Sequence, residues 1–480
     1  MDRKDTSVER GKIIEAFKET NVSMLCLKCC NYVELTNLQD HRAVHEALSL
    51  YQYDIQTKPN DLQTLSRRRA TLIKDLNRLD IGRSAYQKKL GKIDLAYEIL
   101  KSDMYGRSNK AKSSFIEHHD VIISSESDKL HGNVGVGVCE SANEKWRSTM
   151  EDAYSYMSEC ISEQTISYFA VFDGYSGSTA ANQCSAQFYQ ILKETFSDFK
   201  CVDDADVLAS FQQAFDRMDR ILLFGAEETS RNRWSGCSAT TCLLTEDTLL
   251  VANVGNVKAM LVLDDNTFQT LTIDHSPDNK SEKHRIKANG DIHKWSKTVW
   301  VNGVVATTRG LGNHGDPILK SNILNVPAFK LTPLAGDVHL LVVASYGFWQ
   351  VFNENEMVLL IKAWLEENAT GLTATENSTK SRGNDSIQIT IQDEDVLNAE
   401  SLNDQTTTQL DHEQECKEKA SLSGLLIDCV MRHDSEIVAG GISKHLVKAA
   451  LTAGSKENIT VIVVIRNMFS KVIHDSTCSC

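Results

Sequence analysis

No run of about 18 apolar residues occurs anywhere in the 480-residue chain, which excludes a membrane-spanning helix. The opening MDRKDTSVERGK lacks the apolar stretch of a secretory signal. The thirteen cysteines, odd in number and unevenly spaced, therefore suit a reducing compartment where most stay thiols. The expected location is intracellular, in the cytoplasm or nucleus. No internal repeat is visible. A basic body is also missing, since net charge is −14. Residues 1–130 hold 22 Lys+Arg against 19 Asp+Glu, so the rest of the chain carries −17. That balance argues against a nucleic-acid groove through the main body, though not against a small basic module at the front. What is present is ordinary globular material, 41% hydrophobic and 24% charged, enough for a sizeable core and, by length, two to four domains.

Three textures divide the chain. Residues 1–130 are polar and read as helical, above all over 60–105, where Leu62, Leu65, Leu72, Leu76 and Leu79 recur at helical spacing beside Arg67, Arg68 and Arg69. That basic run reads as a solvated helix face. From about Gly132 the pattern changes to short β-rich runs, at Ser167–Phe172, Ser238–Leu244, Leu249–Val254, Lys258–Leu263, Val338–Ala344 and Ile459–Ile465. Turn-type residues between several of them predict hairpins. Long amphipathic helices intervene, notably Ala205–Glu228, with Leu208, Phe211, Phe215, Met218 and Leu222 on one face. Hairpin-joined strands with helices in blocks predict an α+β layered domain over 131–470. Residues 367–418 are rich in Ser, Thr, Asn, Asp and Glu and poor in aromatics, a composition that predicts a disordered acidic insert inside the domain.

The chemistry lies in nine short motifs in fixed order. They are Arg147-Ser-Thr-Met-Glu151-Asp152, Val171-Phe-Asp173-Gly174-Tyr175-Ser-Gly177, Ser235-Gly-Cys-Ser-Ala-Thr-Thr241, Ala252-Asn-Val-Gly-Asn256, Asp274-His-Ser-Pro277, Val301-Asn-Gly303, Thr308-Arg-Gly-Leu-Gly-Asn313, Ala344-Ser-Tyr346-Gly-Phe-Trp349-Gln350-Val351 and Glu457-Asn-Ile-Thr460-Val. In their order and intervals the chain resembles the metal-dependent (2C-type) protein phosphatase family over roughly residues 130–466. The resemblance implies a four-layer α-β-β-α sandwich of two antiparallel sheets flanked by helices. It also implies two Mg²⁺ or Mn²⁺ ions in an acidic cleft, where they would activate water and clamp a phosphoryl group. Such hard ions want carboxylates, a carbonyl and waters.

Position by position the resemblance implies a half-kept site. Arg147 takes the phosphate-binding position, Glu151 and Asp152 the acidic pair, Asp173 the carboxylate that bridges both ions, Gly174 the carbonyl ligand and Asp274 the place of a third, weaker metal. The other half departs. Tyr346 stands where the family has a ligand Asp, which removes a negative charge. Glu457 stands where it has Asp, moving the oxygens by about a bond length when Mg²⁺ tolerates little error at ~2.1 Å. Gln350 replaces another acid, and Asn313 the Asp that closes the Arg-Gly-Leu-Gly motif. Tyr175 replaces the acid His, and a phenol of pKa about 10 gives up its proton less readily than imidazolium. Two functions follow: a pseudophosphatase that binds proteins, phosphoproteins included through Arg147, or a weak phosphatase using one ion on Asp173, the Gly174 carbonyl and waters.

The front of the chain offers a third class. Cys26-x2-Cys29-x11-His41-x3-His45 is close to the spacing of a two-Cys, two-His zinc site, with Val33 and Leu38 near the usual core positions. Chance cysteines and histidines on a helix would give the same letters. A zinc site there would make residues 26–45 a zinc-finger-like interaction module, for which protein binding is the expected use, since one finger reads only about 3 bp of DNA.

Overall fold

A computed structural model describes residues 12–17, 22–55, 58–106, 121–161, 164–195, 204–225, 231–263, 267–295, 298–334, 338–370 and 421–467. Strand β1 (Ile13–Ala16) precedes the hairpin β2 (Ser23–Cys26) and β3 (Asn31–Glu34), then helices α1 (Leu38–Leu50), α2 (Leu62–Asn77) and α3 (Arg83–Met104). Strands β4 (Ile122–Leu130), β5 (Val134–Ser141), β6 (Ala153–Ile161) and β7 (Gln164–Tyr175) lead into α4 (Thr179–Thr195) and α5 (Asp204–Phe224). A meander follows, of β8 (Gly236–Leu244), β9 (Thr248–Val254), β10 (Lys258–Val262) and β11 (Phe268–Thr270). Next are α6 (Lys280–Asn289), β12 (Ile292–Trp295), β13 (Thr298–Val301), β14 (Leu311–Gly312), α7 (Pro317–Asn322), β15 (Ala328–Pro333) and β16 (Val338–Ala344). The chain continues through α8 (Tyr346–Trp349), α9 (Glu354–Thr370), α10 (Leu422–Arg432), α11 (Ser435–Thr452) and β17 (Ile459–Asn467).

Two antiparallel sheets carry the fold. One runs β1-β4-β5-β17-β16-β10-β11; the other runs β15-β9-β8-β7-β6, with β14 on β8. Because side chains alternate across a strand, each sheet presents two faces, and both faces are apolar here. On β17, Ile462 and Val464 point between the sheets, against Phe169 and Val171 of β7 and Val251 of β9. Its Val461, Val463 and Ile465 point outward to α9, α10 and α11. The outer face of the second sheet packs on α4 and α5 through Phe172, Phe188, Phe211 and Phe215. The layers are therefore α-β-β-α, and the acids sit where the strand ends of the two sheets meet. At about 1.5–3 kcal/mol for each fully buried Val or Ile side chain, these three cores, and not local propensity, hold the layers together. Close approach of α11 to β5 needs Gly137, because a Cβ there would lie 2.2 Å from the Ala439 backbone carbon.

Several expectations change in the structure. The front of the chain is helical in α1–α3 but also supplies β1–β4, and β1 and β4 extend the seven-stranded sheet. Helix α5 ends at Phe224, short of the expected Glu228; residues 226–230 lie outside the described residues. The basic run stays a solvated face, with Arg67 exposed, and it also ties α2 back to its neighbours: Arg68 donates to the Tyr51 carbonyl at 2.9 Å and Arg69 to Asp94 at 2.6 Å. Residues 367–370 of the expected insert complete α9, and 371–420 lie outside the described residues. Among the described residues, no helix is long and apolar enough to cross a membrane. The nine described cysteines are free.

Candidate functional site

Strand β7 delivers Asp173, Gly174 and Tyr175 to the edge of the cleft, in register with Ser238, Cys237 and Gly236 of β8. The loop before β6 brings Glu151 and Asp152 alongside. Gly174 permits this approach, because a Cβ there would lie 2.1 Å from the Glu151 carbonyl oxygen. From the first sheet, the end of β16 presents Ser345 and Tyr346, and the start of β17 presents Glu457 and Thr460.

Asp173 is packed deep among protein atoms yet keeps some solvent contact, as a carboxylate at a cleft floor would. Burial pushes its pKa up to about 7, against the opposing pull of the Tyr346 N–H. That N–H donates to Asp173 Oδ2 at 2.7 Å. Asp152 is 5% exposed and accepts from the Thr460 hydroxyl at 3.0 Å. Burial, then the charge of Asp173, raise its pKa well above the carboxylate range. Without a cation the two carboxyls therefore resist being ionised together.

The remaining expected groups are each engaged by protein. The Arg147 guanidinium pairs with the Glu457 carboxylate and also donates to the Lys456 carbonyl at 3.3 Å. Burial raises the Glu457 pKa even with Arg147 beside it. The Gln350 amide oxygen accepts the Lys456 N–H at 2.9 Å. Tyr175 accepts from the Asn313 amide at 2.9 Å, and burial raises its phenol, so it is neutral at pH 7. Asp274 stands apart: its charged neighbours are Lys258, Asp278 and Glu354, not the acids around Asp173.

The residue that ties this cleft together is one to which the sequence reading gave no role. Asn458 accepts the Glu151 N–H at 2.9 Å and donates to the carbonyls of Ala142 at 2.7 Å and Thr149 at 3.0 Å. It pins the Arg147–Asp152 loop to β17. Its presence in the Glu457-Asn458-Ile-Thr460 motif was the only available signal. Asn143 answers from the other side, donating to the carbonyls of Ser455 and Glu457 at 2.7 and 3.1 Å.

Metal capacity differs sharply between the two candidate centres. Among the described residues, one group of three or more His, Cys, Asp or Glu side chains converges as ligands do, and it is Cys26, Cys29, His41 and His45, whose donor atoms lie within 4.8 Å of one another. Burial holds both imidazoles below the usual histidine range, so their ring nitrogens are free to bind a cation at pH 7. This donor set could hold a metal such as zinc. For a Mg²⁺ or Mn²⁺ pair, Asp173 and the Gly174 carbonyl line the cleft, but Tyr346 carries a neutral phenol where the family resemblance implies a carboxylate, and Glu457 is turned to Arg147. The donor set is thus one carboxylate short of the two-ion centre that the family resemblance implies.

The sequence profile described as Protein phosphatase 2C matches residues 136–386. The human Protein phosphatase 2C-like domain-containing protein 1 is 26% identical, with the similarity covering 94% of this chain and 90% of that one. Probable protein phosphatase 2C 59 of Oryza sativa subsp. japonica is 30% identical over 53% of this chain and 78% of its own length. Protein phosphatase 2C homolog 1 of Saccharomyces cerevisiae is 28% identical over 53% of this chain and 92% of its own. With the order of its motifs, its two packed antiparallel sheets and a profile match over more than half its length, the chain belongs to the protein phosphatase 2C family.

Proposed function

We propose that the phosphatase-like domain is a pseudophosphatase, a folded 2C scaffold that binds proteins, phosphoproteins among them, and does not turn over phosphate esters efficiently. The observation that carries this reading is the contact between Tyr346 and Asp173. The loop position that the family resemblance assigns to a ligand carboxylate carries here the neutral phenol of Tyr346, beside an Asp173 that accepts the same residue's backbone N–H at 2.7 Å. Even outer changes at metal sites typically cost ~10–100-fold in affinity or activity, and this one removes a direct ligand. Protein or phosphoprotein ligands would enter at Arg147, exchanging Glu457 for a phosphate or carboxylate. The proposed setting is intracellular, in the cytoplasm or nucleus, with proteins as the partners of the acidic main domain in place of nucleic acid or a membrane.

Phosphopeptide hydrolysis by the purified full chain in millimolar Mn²⁺, with Asp173→Ala as control, tests the reading. The expected rate is the same for both proteins, with no heat of Mn²⁺ binding by calorimetry. Hydrolysis that disappears in Asp173→Ala would instead establish a weak phosphatase working with one ion on Asp173.

A further inference from the structure

We infer that Cys26, Cys29, His41 and His45 bind one zinc ion, and that the zinc-closed ββα unit is a built-in buttress of the loop carrying Tyr346 and Gln350. The inference is independent of whether the cleft hydrolyses phosphate.

A tetrahedron with Zn–S about 2.3 Å and Zn–N about 2.0–2.1 Å sets the ligand-to-ligand edges at roughly 3.3–3.8 Å. Cys26 Sγ lies 3.4 Å from His45 Nε2, and Cys29 Sγ lies 3.4 Å from His41 Nε2. The two Nε2 atoms, 2.8 Å apart, are closer than that range, all four donor atoms lie within 4.8 Å of one another, and a ligated ion would adjust these edges. The local chain is built for the purpose. Between β2 and β3 the Cys29 and Cys30 amides both turn back to the Cys26 carbonyl, at 3.3 and 2.8 Å. Cys30 takes the left-handed conformation, φ 54°, that closes this turn. His41 and His45 sit one helical turn apart on α1 and so share a face. A hairpin with strands of four residues has too little core to hold that arrangement alone, and metal binding is the common remedy.

Val22, Met24, Leu35 and Leu38 of this unit do not form a separate mini-core; they belong to the same core as Phe348 and Val351. Arg42, next to the ligand His41, donates to the Val351 carbonyl at 2.6 Å and to both carboxylate oxygens of Glu356 at 2.6 Å. Glu356 in turn accepts the Asn353 N–H at 2.8 Å at the start of α9. A continuous set of contacts therefore runs from the ligands through α1 to the segment that includes α8, whose first residue meets Asp173. A detached recognition finger would not spend its apolar face and its Arg on its own chain.

Elemental analysis of the full chain, purified without added metal, should find one zinc per chain. Replacement by Co²⁺ should give the visible bands of a tetrahedral thiolate site. The site borders an open cleft of about 730 Å³ lined by Asn31, His41, Lys58 and Asp103, so a chelator can reach the ion. Zinc removal should speed amide hydrogen exchange across residues 345–357, and added zinc should reverse the change. Arg42→Ala should keep the zinc but exchange faster over the same residues. Substoichiometric zinc with no tetrahedral Co²⁺ spectrum would overturn the site. Zinc bound tightly, with exchange at 345–357 indifferent to its removal, would overturn the buttress.

Discussion

Asn313 donates its side-chain amide to the Tyr175 hydroxyl at 2.9 Å. Both residues depart from the pattern of the family, in motifs separated by well over a hundred positions, and they meet. The amide N–H and the phenol oxygen satisfy each other, so neither polar group is left unpaired in the buried wall of the cleft. Each substitution alone, Tyr175→Phe or Asn313→Ala, should destabilise the chain by about 1 kcal/mol. The double variant should cost clearly less than the sum of the two. Urea unfolding of the four proteins measures the coupling, and strict additivity would deny it.

Restoring the centre requires changing several of these residues together. Tyr346→Asp, Glu457→Asp and Tyr175→His, with Asn313→Asp to match the new imidazole, should confer Mn²⁺-dependent phosphopeptide hydrolysis above that of the parent chain. The gain should vanish when Asp173→Ala is added. A folded reconstruction with no gain would mean that the missing ligands are not what limits the parent.

Glu457 should act as a competitor for Arg147. The pair is partly exposed, 48% and 29% by side chain, so it contributes only about 0.2–1 kcal/mol. Glu457→Ala should therefore tighten phosphopeptide binding about 2–5-fold, and Arg147→Ala should abolish it. Fluorescence polarisation at two salt concentrations reads both effects.

Asp173 makes stability depend on pH in a stated direction. Its pKa is raised to about 7 by burial, against about 3.9 in an unfolded chain. The folded protein therefore keeps a proton that the unfolded chain has released. This contribution is fully present below about pH 4 and is lost as pH rises through about 7. In chelator, Asp173→Asn should flatten the fall of Tm between pH 4 and 7 and raise Tm at pH 8. An unchanged slope would show that the carboxyl ionises freely.

Much of this architecture was legible because its signals are local. The run Val338–Ala344 is strand β16 as read, and the apolar stripe of α5 faces the core as its spacing requires. Of the site, the motifs told which segments to watch: Asp152, Asp173 and Glu457 come from three of them and lie near enough to shift one another's ionisation. What the sequence hid is pairwise and distant. Nothing local tells that Glu457 turns to Arg147, that Asn313 faces Tyr175, or that Asn458 holds the Glu151 loop. The Cys/His spacing announced a ligand set, but not that Arg42 would anchor it on Val351 and Glu356. Such contacts depend on which surfaces the layers bring together, and that is decided only once the whole core has formed.

The place of β17 bears on how the chain is made. This strand lies between β5 and β16, and β5 is synthesised more than three hundred residues earlier. Until Asn467 has cleared the ribosome, both neighbours present bare apolar edges with unpaired amides, the kind of edge that invites wrong partners. The first sheet can therefore close only after β17 has been made, so its completion rests on long-range pairing and is a slow, late step of folding.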